Sequence, residues 1–263
     1  MDPTTDRTAP AADFYDALSY DYDTMTEFDR RFVRERPFFH MFVEKYNIGS
    51  AVDAGCGTGF HSLLLAQLGV RVTAVDISSA MLEQVRGHAK RMNLSVNIMQ
   101  EEFQSLATSV REKVDGVFCL GNSLAHLLSK KNLRLSISNF FKVLKPGGIL
   151  FLQNLNYDRI LKERERIQSV KEVKGKTFVR LYEYGKDDIT FTIQTIERPN
   201  GIPVQSQRSV RLRPLLREEL FSLVAGAGFI DVKPFGSIAL DNFDPAESKD
   251  LVLIARKPED QNN

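Results

Sequence analysis

The chain has 263 residues, enough for one α/β domain with an insertion or for two small domains. With 43% apolar and 26% charged residues it is an ordinary globular composition, and a net charge of +1 gives no global field to recruit nucleic acid or an anionic membrane. No apolar run approaches the roughly 20 residues that span a bilayer, and two cysteines, Cys56 and Cys119, make no disulfide framework. The start Met1-Asp2-Pro3-Thr4-Thr5-Asp6 lacks the basic residues and apolar core of a signal peptide, so a reduced, cytoplasmic protein is the expectation. His40, His61, His88 and His126 show no metal-ligand spacing, and no metal is expected.

Residues 1–12, rich in Thr, Pro and Asp, read as a disordered lead. The segment from Phe14 to Asp23 then sets Phe14, Tyr15, Tyr20 and Tyr22 close together, which suits either an aromatic lid or a helix packed on a core. A helical stretch with Arg30, Arg31, Arg34 and Arg36 follows, and one of these is placed to grip a ligand carboxylate as a bidentate fork. Together these make a helical lid over about 13–46.

Next comes Ser50-Ala51-Val52-Asp53-Ala54-Gly55-Cys56-Gly57-Thr58-Gly59, an apolar run into a tight glycine loop. The apolar spacing from Phe60 to Leu68 predicts a helix directly after it. Glycine permits positive φ and removes the Cβ that would hold a ligand off the backbone. The free N–H groups of the helix's first turn face the same crevice. This is how a nucleotide-like ligand is held at the carboxyl ends of parallel strands. A dinucleotide fingerprint would need glycine at position 60, where Phe60 stands, and no Gly-Lys-Ser/Thr of a P-loop follows.

Val70 to Asp76 alternates as a second strand, and Asp76 lies about 20 residues beyond Asp53, where a carboxylate accepts both ribose hydroxyls of an adenosine. Ser78 or Ser79 caps the next helix, with Ile77 and Met81 flooring an adenine. Ser95 to Gln100 and Val114 to Leu120 are further strands, ending at Glu101-Glu102-Phe103 and Gly121-Asn122-Ser123-Leu124-Ala125-His126-Leu127. An amphipathic helix from Leu133 to Leu144 stops at the turn Lys145-Pro146-Gly147-Gly148 before a fifth strand, Ile149 to Leu152. From about 164 the pattern becomes β-rich, with three antiparallel strands at 177–184, 189–198 and 204–212. A helix from Arg217 and strands at 229–232 and 251–256 close the chain.

The run h-h-Asp-x-Gly-x-Gly-x-Gly resembles motif I of the class I S-adenosylmethionine-dependent methyltransferases, and Asp76-Ile77-Ser78-x-x-Met81-Leu82 resembles motif II. The string Leu120-Gly121-Asn122-Ser123-x-Ala125-His126-Leu127 is similar to the glycine N-methyltransferase group, and Phe14 to Asp23 resembles a segment found ahead of motif I in small-molecule members. The resemblance covers about 14–257. It implies a Rossmann-like, doubly wound, seven-stranded α/β sheet with its last strand antiparallel, plus an inserted antiparallel cap sheet over about 157–214. It also implies S-adenosyl-L-methionine as cofactor and S-adenosyl-L-homocysteine as product. Tyr22, Asp53, Gly55, Cys56, Gly57, Gly59, Asp76, Ile77, Met81, Glu102, Phe103, Leu120, Gly121 and Ser123 are then the expected cofactor residues, with Glu101 a rival to Glu102 at the adenine. Asn122, His126, Asn154, Tyr15 and Tyr182 are the expected substrate residues. The group carries an arginine for an amino-acid carboxylate where this chain has Leu155, although Asn156-Tyr157-Asp158 beside it is kept. The expected acceptor is therefore a small molecule, an amine nitrogen with an apolar body and no carboxylate, closed over by Phe14, Tyr15, Tyr22, Phe178 and Tyr182. No residue is a compelling general base. The rivals are oxygen methylation of a small metabolite and a nicotinamide-dependent oxidoreductase, the latter disfavoured by Phe60. Oligomeric state is not legible.

Overall fold

The computed structural model describes residues 10–260. Most of the expected disordered lead lies outside them, but Ala11 and Ala12 already belong to a helix, α1 (Ala11–Thr26). Glu27, in the left-handed region at φ 53°, separates it from α2 (Phe28–Lys45). The order then runs β1 (Ser50–Ala54), α3 (Phe60–Gln67), β2 (Arg71–Asp76), α4 (Ser79–Met92), β3 (Asn97–Gln100), α5 (Leu106–Ser109), β4 (Val114–Cys119), α6 (Lys130–Val143), β5 (Leu144–Leu155) and α7 (Tyr157–Glu163). Four strands follow, β6 (Ile167–Val173), β7 (Lys176–Tyr184), β8 (Ile189–Glu197) and β9 (Val204–Leu212), and then α8 (Arg217–Gly226), β10 (Ile230–Phe235) and β11 (Asp250–Arg256).

The main sheet has seven strands in the order β10-β11-β5-β4-β1-β2-β3. β11 pairs antiparallel with both neighbours, and the pairs among β1 to β5 are parallel. From β1 the chain winds outward through β2 and β3, then restarts on the other side with β4. That reversal leaves a crevice at the carboxyl ends of β1 and β4, the usual ligand position in such sheets. β1 is buried along its whole length, as a strand covered by helices on both faces must be. Its alternation divides the core: Val52 and Ala54 join the cluster around Phe140 and Leu150, while Ala51 joins the one around Phe39, Phe42 and Phe151.

Two expectations need correction. Lys145-Pro146-Gly147-Gly148 is not a free turn, because β5 begins at Leu144, paired with Val114, and the register shifts before Gly116 meets Ile149. Gly147, at φ +75°, donates to Lys257 O at 3.1 Å, and Lys257 N donates to Gly148 O at 2.9 Å, so the segment is a bulged strand entry tied to the chain's closing strand. The inserted sheet has four strands in the order β6-β7-β8-β9, and it begins at Ile167 because α7 occupies 157–163. β6 carries exposed Ile167 and Val170 beside charged residues on a sheet edge, so its alternation reads weakly in the sequence.

α1 lies across the inner face of this sheet. Phe14, Leu18 and Met25 bury against Phe178, Ile193 and Val210. Each such side chain contributes roughly 1.5–3 kcal/mol, far more than the part-exposed Lys176–Asp21 pair at the margin, since such pairs give about 0–1 kcal/mol. Apolar burial therefore holds the lid to the insert. Polar staples set its register on α4: Asp16 Oδ1 accepts from Ser78 Oγ at 2.5 Å and Ala80 N at 3.1 Å, and Asp23 Oδ2 lies 2.6 Å from His88 Nε2.

Candidate active site

The glycine loop is fixed through its backbone. Gly55 N and Cys56 N donate to Val75 O at 2.8 and 3.0 Å, and Gly57 N donates to Asp76 Oδ2 at 2.8 Å. All three glycines have positive φ, +74°, +55° and +86°. A Cβ at Gly55 would stand 2.6 Å from Ser123 Oγ and one at Gly59 2.9 Å from Val85, so these two are required by packing. At Gly57 the nearest atom would be a Tyr22 ring carbon at 3.8 Å. The space over Gly57 is the cavity itself.

That cavity holds about 1110 Å³ of empty space including its mouth. Tyr22, Gly55, Cys56, Gly57, Asp76 and Ile77 line one side of it, and Glu102, Phe103, Leu120, Gly121 and Ser123 the other. Asp76 is 8% exposed, and its Oδ1 also takes Ser78 N at 2.9 Å. Burial pushes its carboxyl up, and the backbone donors from Ser78 and Gly57 pull it back. Oδ2 therefore braces the glycine loop and Oδ1 the cap of α4, while Asp76 lines the cavity. Of the rival acids, Glu102 is on the wall, whereas Glu101 is turned to Ser109 Oγ at 2.6 Å. Of the four arginines, Arg31 reaches the wall, its guanidinium 4.2 Å over the Phe60 ring and its Nε 2.9 Å from Glu35. Burial raises the Glu35 carboxyl, but His61 at 3.5 Å and Arg31 outweigh it and hold it at about 2.

Asp53, Gly59 and Met81 do not line the cavity. Asp53 is 1% exposed, with its carboxyl raised by burial, and accepts from Ser62 Oγ at 2.6 Å. It ties β1 to the first turn of α3. Met81 sits fully buried in the first turn of α4, where its N–H donates to the Ser78 cap at 3.0 Å. Its side chain is fully buried and is not part of the cavity wall.

At the far end, Tyr15 Oη and His126 Nε2 are 2.9 Å apart, and both residues line the cavity. His126 Nδ1 is buried with no hydrogen-bond partner among the described residues. Burial lowers the imidazole to about 4 and pushes the Tyr15 phenol well up, so both are neutral near pH 7. The other three expected substrate residues are placed elsewhere. Asn122, left-handed at φ 72°, donates from Nδ2 to Tyr157 Oη at 2.9 Å, while its Oδ1 accepts from Leu155 N at 3.1 Å and Asn154 Nδ2 at 3.5 Å. Asn122 and Asn154 are therefore spent on each other and on β5, off the cavity wall. Tyr182, 3% exposed, packs edge-on to Phe191, and Phe14 and Phe178 meet each other in the lid–insert core. The kept Asn156-Tyr157-Asp158 is structural: Asn156 caps α7 and holds Pro245 O and Ser248 O, Tyr157 is fully buried, and Asp158 Oδ2 accepts from Arg217 N at the start of α8.

Sequence reasoning did not single out Thr26, His61 and Gln104, which also line the cavity. Nor did it give Asp16 a role, although the acid beside Tyr15 was the available signal.

The donor set fits a nucleoside with a short zwitterionic tail. There are a bare loop backbone, an acid at the end of β2, a second acid and an apolar ring after β3, and a cation at the loop's far side. Comparisons agree. A family model described as a methyltransferase domain matches residues 51–148. A glycine/sarcosine N-methyltransferase of Aphanothece halophytica is 30% identical over 216 residues, covering 82% of this chain and 79% of that protein. Glycine N-methyltransferase of Rattus norvegicus is 35% identical over 121 residues, 42% of this chain and 41% of its own length. Among solved structures, an S-adenosylmethionine-dependent methyltransferase of Clostridium acetobutylicum superposes with a TM-score of 0.79 at 14% identity, over 93% of this chain and 99% of that one. An S-adenosylmethionine-bound amino pentose methyltransferase of Micromonospora echinaspora gives 0.69 at 18% identity, over 86% and 91%.

The fold is thus that of an α/β methyltransferase. The chain belongs to the class I S-adenosylmethionine-dependent methyltransferases, near the glycine N-methyltransferase-like group. It is an enzyme that uses S-adenosyl-L-methionine, releases S-adenosyl-L-homocysteine and methylates a small molecule. No helix among the described residues is long and apolar enough to cross a membrane.

Proposed function

We propose that the enzyme methylates an amine nitrogen of a small acceptor bound at the Tyr15–His126 end of the cavity, by direct in-line transfer. The observation that carries this is the neutral Tyr15–His126 pair, which offers hydrogen-bonding atoms without a positive charge. A cationic imidazole there would repel both a sulfonium and an incoming ammonium. The relatives' names point the same way, since the Aphanothece and rat proteins are N-methyltransferases.

The cofactor-side roles belong to the same reading. Asp76 accepts from the ribose hydroxyls, and Glu102 with the Phe103 amide meets the adenine. Arg31 takes the methionine carboxylate, and the Gly55–Gly57 backbone approaches the tail closely. When bound, S-adenosyl-L-methionine supplies an electrophilic methyl group. The chain's own contribution is to fix the acceptor in line with the methyl and to exclude water, which is catalysis by proximity. α1 and the insert form the lid that does this, Tyr15 and Tyr22 being its contribution to the wall. With His126 at about 4 there is no base poised near neutrality, so the amine enters as its free base, its proton left to solvent. A screen of labelled S-adenosyl-L-methionine against small amines, phenols and carboxylic acids tests the reading. N-methyl products are expected, with rates rising with pH as the free amine fraction does. Oxygen-methylated products alone would overturn it.

A further inference from the structure

One charged side chain stands where the fold calls for an apolar one. The core-facing side of α2 runs Phe28, Phe32, Glu35, Phe39 and Phe42, in alternating helical steps that bring all five onto one side. Glu35 is 4% exposed. A carboxylate there loses its hydration and is kept only where cations and hydrogen bonds replace the water. A buried ion pair adds little net stability over well-packed apolar groups, so stability is a weak reason for Glu35. Its partners converge from the cavity side. Arg31, one turn earlier, donates from Nε to Oε1 at 2.9 Å and from Nη2 to Oε2 at 3.4 Å, a two-pronged grip. Arg34 Nη2 donates to Oε1 at 3.3 Å, and His61 Nε2, at the start of α3, stands 3.5 Å from Oε2 without a hydrogen bond. The Arg31 guanidinium lies 4.2 Å over the Phe60 ring. Arg31 and His61 both line the cavity, and the charge of Arg31 acts on the Tyr22 phenol in the lid. Nη1 of Arg31 has no hydrogen bond among the described residues. The Nε edge of the fork is thus occupied, and its Nη1–Nη2 end remains for a ligand.

We infer that Glu35 is a positioning residue for the cofactor: by holding the Nε edge of Arg31 it fixes the guanidinium plane, so that the Nη1–Nη2 end meets the carboxylate of the S-adenosylmethionine tail. Glu35's role rests on Arg31 meeting that carboxylate, as proposed above, and adds the group that orients it. An unrestrained arginine loses rotamer freedom when it grips a carboxylate. Here Glu35 holds the plane beforehand from its edge and Phe60 from its face. The charge of Glu35 works the other way, because it opposes a second carboxylate at the same guanidinium. Arg34 and His61 stand against the same acid and offset that charge. Orientation and charge therefore predict opposite signs when the carboxylate is removed. If orientation dominates, tail binding weakens; if charge dominates, it tightens.

Two ligands separate the tail from the nucleoside. S-adenosyl-L-homocysteine carries the carboxylate, and methylthioadenosine keeps the nucleoside and thioether without the amino-acid tail. Both are titrated calorimetrically into wild type, Glu35→Gln, Glu35→Asp, Arg31→Ala and the double variant of Arg31→Ala with Glu35→Gln. Arg31→Ala should weaken S-adenosyl-L-homocysteine roughly 10- to 100-fold, the scale of a charge-assisted pair. Glu35→Gln keeps one acceptor oxygen but loses the charge and the second prong, and should weaken it roughly 3- to 10-fold. Glu35→Asp, its carboxylate drawn back by one methylene, should weaken it in the same direction. Methylthioadenosine should stay within about twofold of wild type throughout, which also shows that the variants are folded. In the Arg31→Ala background Glu35→Gln should have no further effect, since it acts through the residue already removed. A merely structural role would weaken both ligands alike and would add to Arg31→Ala. Unchanged or tighter S-adenosyl-L-homocysteine binding in Glu35→Gln, a matched loss of both ligands, or additivity in the double variant overturns the positioning role. If Glu35→Gln does not fold, the same outcomes are read on Glu35→Asp. If Arg31→Ala weakens S-adenosyl-L-homocysteine alone and Glu35→Gln does not, the Arg31 reading stands and the role of Glu35 falls. If Arg31→Ala leaves the difference between the two ligands unchanged, the Arg31 reading itself falls, and the role of Glu35 with it.

Discussion

The glycine-loop wall of the cavity and the lid wall hold their shapes by different means. Along the loop, backbone groups bond to backbone or to one buried acid: Gly55, Cys56 and Gly57 donate to Val75 and Asp76 within a span of about 20 residues. Along the lid, side chains meet across the chain: Tyr15 pairs with His126, Asp16 with Ser78, and Phe14 packs on Phe178. The first wall fails where an added Cβ would enter the cavity, at Gly57, and where it would strike a packed neighbour, at Gly55 and Gly59. The second depends on packing, and its energy is spread over many contacts. A ligand's fixed part, common to a whole family, suits the backbone wall, and the variable acceptor suits the side-chain wall.

The largest effect should come from putting a side chain on the backbone wall. Gly57→Val adds a branched group at φ +55°, into the space between the loop and Tyr22. Binding of S-adenosyl-L-homocysteine should be abolished by calorimetry while circular dichroism shows a folded chain. Wild-type affinity would mean the loop is only a turn, and the contrast between the walls would collapse.

Asp76→Ala should weaken cofactor binding by about 1–3 kcal/mol, the range for hydrogen bonds to a charged group. The variant loses both the carboxylate facing the cavity and the brace on Gly57 N. Unchanged affinity in a folded variant would remove Asp76 from the cofactor's site.

These two predictions rest on the part of the molecule that the sequence made legible. β1, the loop, β2 and Asp76 lie within one short window whose spacing alone fixes the geometry, and Glu102, Leu120, Gly121 and Ser123 sit at predicted strand ends. The acceptor side was not readable in that way. Asn122 and Asn154 carry polar groups in a suggestive string, yet β4 and β5 lie side by side and their side chains pair off. Met81 reads as an adenine floor, but it is fully buried and off the cavity wall. The four-stranded insert was visible as three strands, because an edge strand carries charge where an inner one alternates cleanly.

On the lid wall, His126 offers a measurement through pH. The unfolded chain protonates this imidazole near the ordinary 6.5, and the folded chain only at about 4. Between those values the unfolded state binds more protons, so stability rises with pH and falls on acidification. From pH 7 to pH 5 wild type should lose on the order of 2 kcal/mol through this residue. Denaturant unfolding of wild type and His126→Asn at both pH values isolates the effect from the carboxylates, which titrate in both proteins. An identical pH dependence would mean that His126 is solvated when folded.

The smallest effect expected is the one that tests how the lid is stapled. Asp16 accepts from Ser78 Oγ and Ala80 N at the start of α4, where a negative charge also meets the helix dipole. Ser78 keeps its own cap bond from Met81 N in the variant, so Asp16→Ala removes only part of the cap. About 1 kcal/mol is expected, a shift of roughly 2–4 °C in melting temperature for a chain of this size. Asp21→Ala, on the same helix, breaks a part-exposed pair with Lys176 that retains Glu197 as a second partner, and should change stability by less than about 0.5 kcal/mol. The two variants remove the same charge from the same helix, so only the position of the carboxylate differs. Calorimetric scans showing equal shifts would mean that net charge, and not the staple onto α4, sets the lid's stability.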